Sequence, residues 1–128
     1  MSALKELYLS HNQIEKLDAE HLTGLEQLSV LELDNNQLEW ITAGLFVVLN
    51  KLKVLKLHSN HLVTLQMPSV TPPTAVMELV TLQNNRWRCS SDDDCQWITL
   101  ALDTFNKTAI ADINAVFERS YLPRFLQN

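Results

Sequence analysis

The sequence predicts an α/β solenoid, with short parallel strands along a concave face and a helical cap closing the C-terminal end. Two observations predict it. The first is a repeat: "LKELYLSHNQI" begins at Leu4, "LSVLELDNNQL" at Leu28 and "LKVLKLHSNHL" at Leu52, with a weaker copy, "MELVTLQNNRW", at Met77. The steps are 24, 24 and 25 residues, and Asn12, Asn36, Asn60 and Asn85 fall in register across them. Self-similarity at such a period marks stacked supersecondary units. The second is the spacing inside each copy: Leu4, Leu7, Leu9, Ile14 and Leu17 follow neither a helical nor a strand period throughout.

Bulk properties admit this reading and exclude others. At 128 residues the chain is one domain's worth of material, long enough to bury a core. Hydrophobic residues make up 46% and charged ones 20%, an ordinary globular composition. The net charge of −5 argues against nucleic acid or an anionic membrane surface as partner, since both reward clustered Lys and Arg. No run reaches the roughly 18 apolar residues of a membrane span, so no membrane insertion is expected.

Each copy opens on a short strand. Leu7 and Leu9 share a face because alternate strand residues do, and Leu4, Ile14 and Leu17 come in from the turns to meet them. No copy can bury that face alone, so neighbours stack into one continuous core. The asparagine follows from the same logic. Its side-chain amide both donates and accepts, so it can satisfy backbone groups of the buried turn and of the next coil. Asn12, Asn36, Asn60 and Asn85 are therefore read as a structural ladder over a repeat domain spanning residues 1–87.

This pattern resembles the extracellular-type leucine-rich-repeat (LRR) proteins. In that family a leucine, then an aromatic or leucine, then another leucine follow the asparagine segment. Leu17, Leu22 and Leu25 match in the first repeat, and Ile41, Phe46 and Leu49 in the second. The third keeps Leu65 and then runs "MPSVTPPTAV", where Pro68, Pro72 and Pro73 deny a helix and favour an extended convex segment.

Residues 88–128 are read as a cap and tail. Beyond Asn85 comes "RWRCSSDDDCQWITLALDTF", similar to the family's cap entry Asn-Pro-Trp-x-Cys and the helix after it at Asn85, Trp87, Cys89, Cys95 and Trp97. Arg86 stands where proline is usual, and the family's second pair of cap cysteines is absent. The resemblance therefore implies a single Cys89–Cys95 bridge. Ser90 or Ser91 can cap a helix whose first turn holds Asp92, Asp93 and Asp94, favourable against the helix dipole. As a calcium site the triplet fits poorly, for consecutive aspartates lack the alternate-position spacing of a calcium loop. Trp97, Leu100 and Phe105 would face the repeats.

Further on, Ile110, Ile113, Val116 or Phe117, and Leu122 recur at helical spacing, predicting a second cap helix that ends before Pro123. Asn106 opens "NKT", an N-glycosylation acceptor in a secreted chain. The start "MSAL" has neither a basic n-region nor an apolar h-region. An uncapped array exposes the apolar edge of its core. The expectation is a C-terminal part of a longer secreted protein; the alternative is a partner that covers Leu4 and Leu7.

Function, on this reading, lives on the outward positions of the concave strands, which the solenoid leaves exposed. Three rows cross the repeats: Tyr8, Glu32, Lys56 and Thr81; Ser10, Asp34, His58 and Gln83; Glu6, Val30, Val54 and Leu79. Glu32 and Lys56 should pair across strands. Val30, Val54 and Leu79 make an apolar strip that suggests contact with a protein ligand, although β-branched residues also simply suit strands. The candidate partner-binding face is thus Tyr8, Val30, Glu32, Asp34, Val54, Lys56, His58, Leu79 and Thr81. Trp40 is a further interface anchor unless it lies flat on its neighbour; for Trp87 and Trp97 packing is the default.

Catalysis is not expected. His58 and His61 should diverge, one on the strand and one past Asn60, which argues against zinc. The glycines, Gly24 and Gly44, build no phosphate loop, and no Ser/His/Asp or Cys/His arrangement is visible. No metal and no cofactor is assigned. The reduced cysteine set and the "AIADINAVFERS" tail resemble secreted arthropod leucine-rich proteins, among them mosquito immune factors and salivary TRIO-like proteins. That resemblance implies an extracellular, non-catalytic protein-binding role. A receptor or adhesion ectodomain fragment, or an assembly module that self-associates through its tail helix, are the other classes the sequence admits.

Overall fold

The computed structural model describes residues 3–41, 44–64, 78–87 and 110–111. Five strands, β1 (Glu6–Tyr8), β2 (Val30–Glu32), β3 (Val54–Lys56), β4 (Leu79–Thr81) and β5 (Ile110–Ala111), form one parallel sheet in chain order. Glu6 stands beside Val30, Val30 beside Val54, and Val54 beside Leu79, so every repeat enters the sheet at the same point of its period. The ladder runs past the strand ends. Leu9 N–H donates to Glu32 O at 2.8 Å, Leu33 N–H to Lys56 O at 2.9 Å, and Leu57 N–H to Thr81 O at 3.0 Å.

Strand alternation then sorts the side chains. Leu31, Leu33, Leu55, Leu57, Val80 and Leu82 point inward and are essentially fully buried, joined by Leu28, Leu52, Leu38 and Leu62 from the flanking turns. Trp87 takes the position of Leu38 and Leu62 in the fourth repeat; it too is buried, with its indole N–H donating to Leu82 O.

The outer sides of the first two coils differ. In the first, i→i−3 bonds (His21 N–H to Asp18 O, Thr23 N–H to Glu20 O) close a 3-10 turn over Ala19–Leu22 that places Leu22 in the core. In the second, helix α1 (Gly44–Val48), carried on by the Leu49 N–H bond to Leu45 O at 2.9 Å, puts Leu45 and Leu49 four residues apart on one buried face, and Ile41 ahead of it is buried too. Leu45, passed over in the sequence reading, is a core residue because a true α turn, unlike a 3-10 turn, brings i and i+4 together.

Between strand and outer side the chain turns sharply. His11, Asn35, Ser59 and Asn84 adopt left-handed backbone at φ near 60°, each immediately before a ladder asparagine. Asn60 shows what that turn achieves. Its Nδ2 donates to Leu33, Leu57 and His58 carbonyls at 3.0 to 3.3 Å, while Oδ1 accepts Leu38 N–H at 3.0 Å. Asn36 and Asn85 do the same one coil earlier and one later. Each amide reaches back to the preceding coil, not forward. Asn12, with no coil before it among the described residues, bonds only its own turn through Leu9 and Ser10 carbonyls and stays exposed.

Burial falls off toward β1. Leu7, Leu9, Ile14 and Leu17 are half-buried, and Leu4 is 42% exposed, whereas their counterparts one repeat on are 0–1% exposed. At the other edge the structure corrects the sequence reading. Ile110, assigned to a second cap helix, lies instead in β5, paired through Val80–Ile110 and Thr81–Ala111. The physical reason is the open edge of β4, whose unpaired N–H and C=O groups take up a strand in preference to leaving the ladder unfinished. Leu65, Pro68, Pro72, Pro73, Cys89, Cys95, Trp97, Asn106, the aspartate triplet and the tail beyond residue 111 lie outside the described residues, as does the side chain of Phe46.

Candidate functional site

The three outward rows lie side by side on the sheet, because the 24-residue period returns the chain to the same register each time. Strand separation of about 4.8 Å makes direct neighbours of residues one repeat apart. Lys56 Nζ lies 3.4 Å from Glu32 Oε2. Val30, Val54 and Leu79 form a continuous half-buried apolar strip, and Tyr8 at the β1 end is 56% exposed. The Tyr8 hydroxyl donates to Glu6 Oε1 at 2.7 Å; that bond, with some burial and the nearby Glu6 and Glu32 charges, raises the phenol above its ordinary range.

Two members of the candidate face depart from the expectation of exposure. Asp34 is buried, and so is Thr81. Both are drawn in by hydrogen bonds that join the coils. Ser10 Oγ donates to Asp34 Oδ1 at 2.7 Å and Asn35 Nδ2 to Asp34 Oδ2 at 2.9 Å. His58 Nε2 stands 3.5 Å from Asp34 Oδ2, and its Nδ1 is 2.7 Å from Thr81 Oγ1. With the imidazole proton on Nε2, Asp34 holds that side of the ring and Nδ1 accepts from the Thr81 hydroxyl. A polar row from Ser10 to Thr81 thus spans four coils.

Burial alone pushes the Asp34 carboxyl up. The bonds from Ser10 and Asn35, a backbone hydrogen bond and the adjacent His58 outweigh it, so the carboxyl titrates below its usual range.

Thr81, His58 and Asp34 have the order of a hydroxyl–imidazole–carboxylate relay, which the sequence reading did not see. The signal was in the rows, since Asp34 and His58 are adjacent in one of them. What was not visible is that His58 leans diagonally to Thr81 rather than straight across to Gln83. The hydroxyl is badly placed for nucleophilic work. It is buried, and its oxygen already accepts Leu57 N–H at 3.2 Å. The row locks coils together.

His58 and His61 do part, His58 into this row and His61 to the lateral edge. Among the described residues one group has ligand atoms close enough to share a metal ion: Asp18, Glu20 and His21, within 4.8 Å of one another at the first convex turn. His21 Nδ1 there already accepts Asp18 N–H at 3.1 Å, and Glu20 and His21 are exposed. Trp40 is 39% exposed and Val47 52%. Among the described residues no helix is long and apolar enough to cross a membrane.

A family model described as "Leucine rich repeat" matches residues 2–62, a little under half of the chain. That match and the parallel, in-register strands together fit a leucine-rich-repeat solenoid. No curated protein matches the chain significantly.

Proposed function

We propose that this chain is a non-catalytic recognition module that binds a protein ligand across its sheet face. Leucine-rich-repeat domains generally mediate protein–protein interaction, which supports the class. The observation that carries the reading to a face is the strip of Val30, Val54 and Leu79, half open to solvent and flanked by the Glu32–Lys56 pair. Those side chains contribute nothing to the leucine core, which is already closed on the other side of the strands. An apolar strip framed by charges is the arrangement of an interface core and its rim. Tyr8 at one end and Trp40 off the sheet are aromatic anchors of the kind that dominate binding energy.

The finer reading is of a secreted leucine-rich-repeat protein with an immune or salivary role, its end closed by a cap helix before residue 110 and a Cys89–Cys95 bridge. Asn106 would carry glycan. The test of the binding face is retention of a protein ligand from extracellular fluid on immobilised chain, comparing the parent with Val54→Glu and Lys56→Glu. Both variants should keep the parent's circular dichroism and lose the retained protein. Equal retention by parent and variants moves the site off the strands, and retention of nothing by the parent removes the protein-binding reading. Mass measurement with and without reductant tests the bridge: a 2 Da difference on reduction is expected, and none contradicts it.

A further inference from the structure

A pocket of about 330 Å³ opens at the lateral edge where the chain leaves β3 and β4, lined by Ser59, Asn60, His61, Asn84, Asn85 and Arg86. We propose that it is an oxyanion site that takes a phosphate or sulfate ester group. The site is separate from the sheet face and does not depend on it.

The lining assigns the chemistry. Among the described residues it contains no carboxylate, in a chain with 15 acidic residues, and its lining includes Arg86 and His61. Ion pairs among the described residues are confined to Lys56–Glu32 and His58–Asp34. Arg86 therefore has five N–H donors in a planar fork with no acidic acceptor there, the geometry that matches an oxyanion in two-point fashion.

The floor is fixed and polar. The Asn60 and Asn85 amides are fully engaged with backbone groups of their own and neighbouring coils, so they shape the pocket without competing for a ligand. The backbone amides of Ser59, His61 and Arg86 are likewise spent on Gln83, Leu38 and Leu62 carbonyls. Side chains then supply further donors. Asn84 Nδ2 donates to Ser59 Oγ at 2.9 Å, which turns the serine O–H outward as a donor and leaves Asn84 Oδ1 as an acceptor. The pocket holds about eleven water volumes, far more than a bare oxyanion needs. The ester's organic part has room beside Ser59 and Asn84.

The experiment is an NMR titration of the ¹⁵N-labelled chain at constant ionic strength, with inorganic phosphate and inorganic sulfate in separate arms. Phosphoserine and glucosamine 6-sulfate follow, to separate the two ester sources. Saturable shifts centred on residues 59–61 and 84–86 are expected in at least one arm, and the arm that responds identifies the ester. Arg86→Ala should weaken binding at least tenfold. So should Asn84→Asp, a nearly isosteric change at an exposed position that puts a negative charge in the pocket. Lys51→Ala, a cation elsewhere on the surface, should change nothing. Shifts that grow linearly without saturation overturn the proposal, as does an affinity unchanged in Asn84→Asp, a result that stands even where Arg86→Ala unfolds.

Discussion

Replacing Asn60 by alanine removes four hydrogen bonds but strands one group. Leu33 O keeps the Asn36 amide, Leu57 O keeps the Asn85 amide, and His58 O keeps Asn35 N–H. Leu38 N–H alone loses its acceptor, at a buried residue. A buried donor left unpaired costs about 1–3 kcal/mol, and the three shared bonds add somewhat less than the usual ~1 kcal/mol each. Asn60→Ala should therefore destabilise by about 3 kcal/mol. Asn12→Ala, which loses two bonds within one exposed turn, should cost under ~1 kcal/mol. Asn60→Asp sharpens the comparison. It keeps an acceptor for Leu38 N–H but turns an oxygen toward three carbonyls, so it should cost at least as much as alanine. Urea unfolding with unchanged slope gives all three values. Equal costs at Asn12 and Asn60, or an Asp variant near the parent, would refute the reasoning that the amide serves two coils at once.

Other consequences follow from the same contacts. Because the Asp34 carboxyl is held low in the folded state, its stabilisation is complete above the ordinary aspartate range and is lost as pH falls through the depressed value. Urea midpoints measured from pH 7 down to pH 2 should show that loss in the parent and not in Asp34→Asn. Gly24 sits at φ 89° with open space where a Cβ would go, so Gly24→Ala should cost about 1 kcal/mol from backbone alone; a neutral result would mean the turn relaxes. Leu55→Ala in the closed core should cost about 2–5 kcal/mol and Leu7→Ala, half-buried at the β1 end, clearly less. Lys56→Gln should cost under ~1 kcal/mol, fading with added salt, since that pair is partly exposed.

The period carried most of the fold into view. A constant return distance fixes which strand residues are neighbours, and so places Val30 beside Val54 and Glu32 beside Lys56 from the sequence alone. It could not say how long side chains lean. That is why Asp34 and Thr81, each at an outward position, turned out buried: a hydrogen bond accepted from Ser10, or donated to His58, costs less than leaving either group alone at the sheet surface. Leu45 and Ile110 were missed for another reason. Each lies where the repeat gives way, Leu45 in a coil that winds into a true α turn and Ile110 beyond the last clear copy. Helical spacing at residues 110–122 competed with an open sheet edge, and at Ile110 the edge won. The Arg86 pocket was hidden because it is built from two turns 25 residues apart, neither of which is a motif by itself.

The stacking itself is open to a direct reading in solution. Nuclear Overhauser contacts across the sheet should link the backbone of Leu31 to that of Leu55, and Leu55 to Val80, with Leu7 beside Leu31. Contacts of the i to i+3 kind within residues 28–34 or 52–58, in place of those cross-strand pairs, would contradict the solenoid and every site placed upon it.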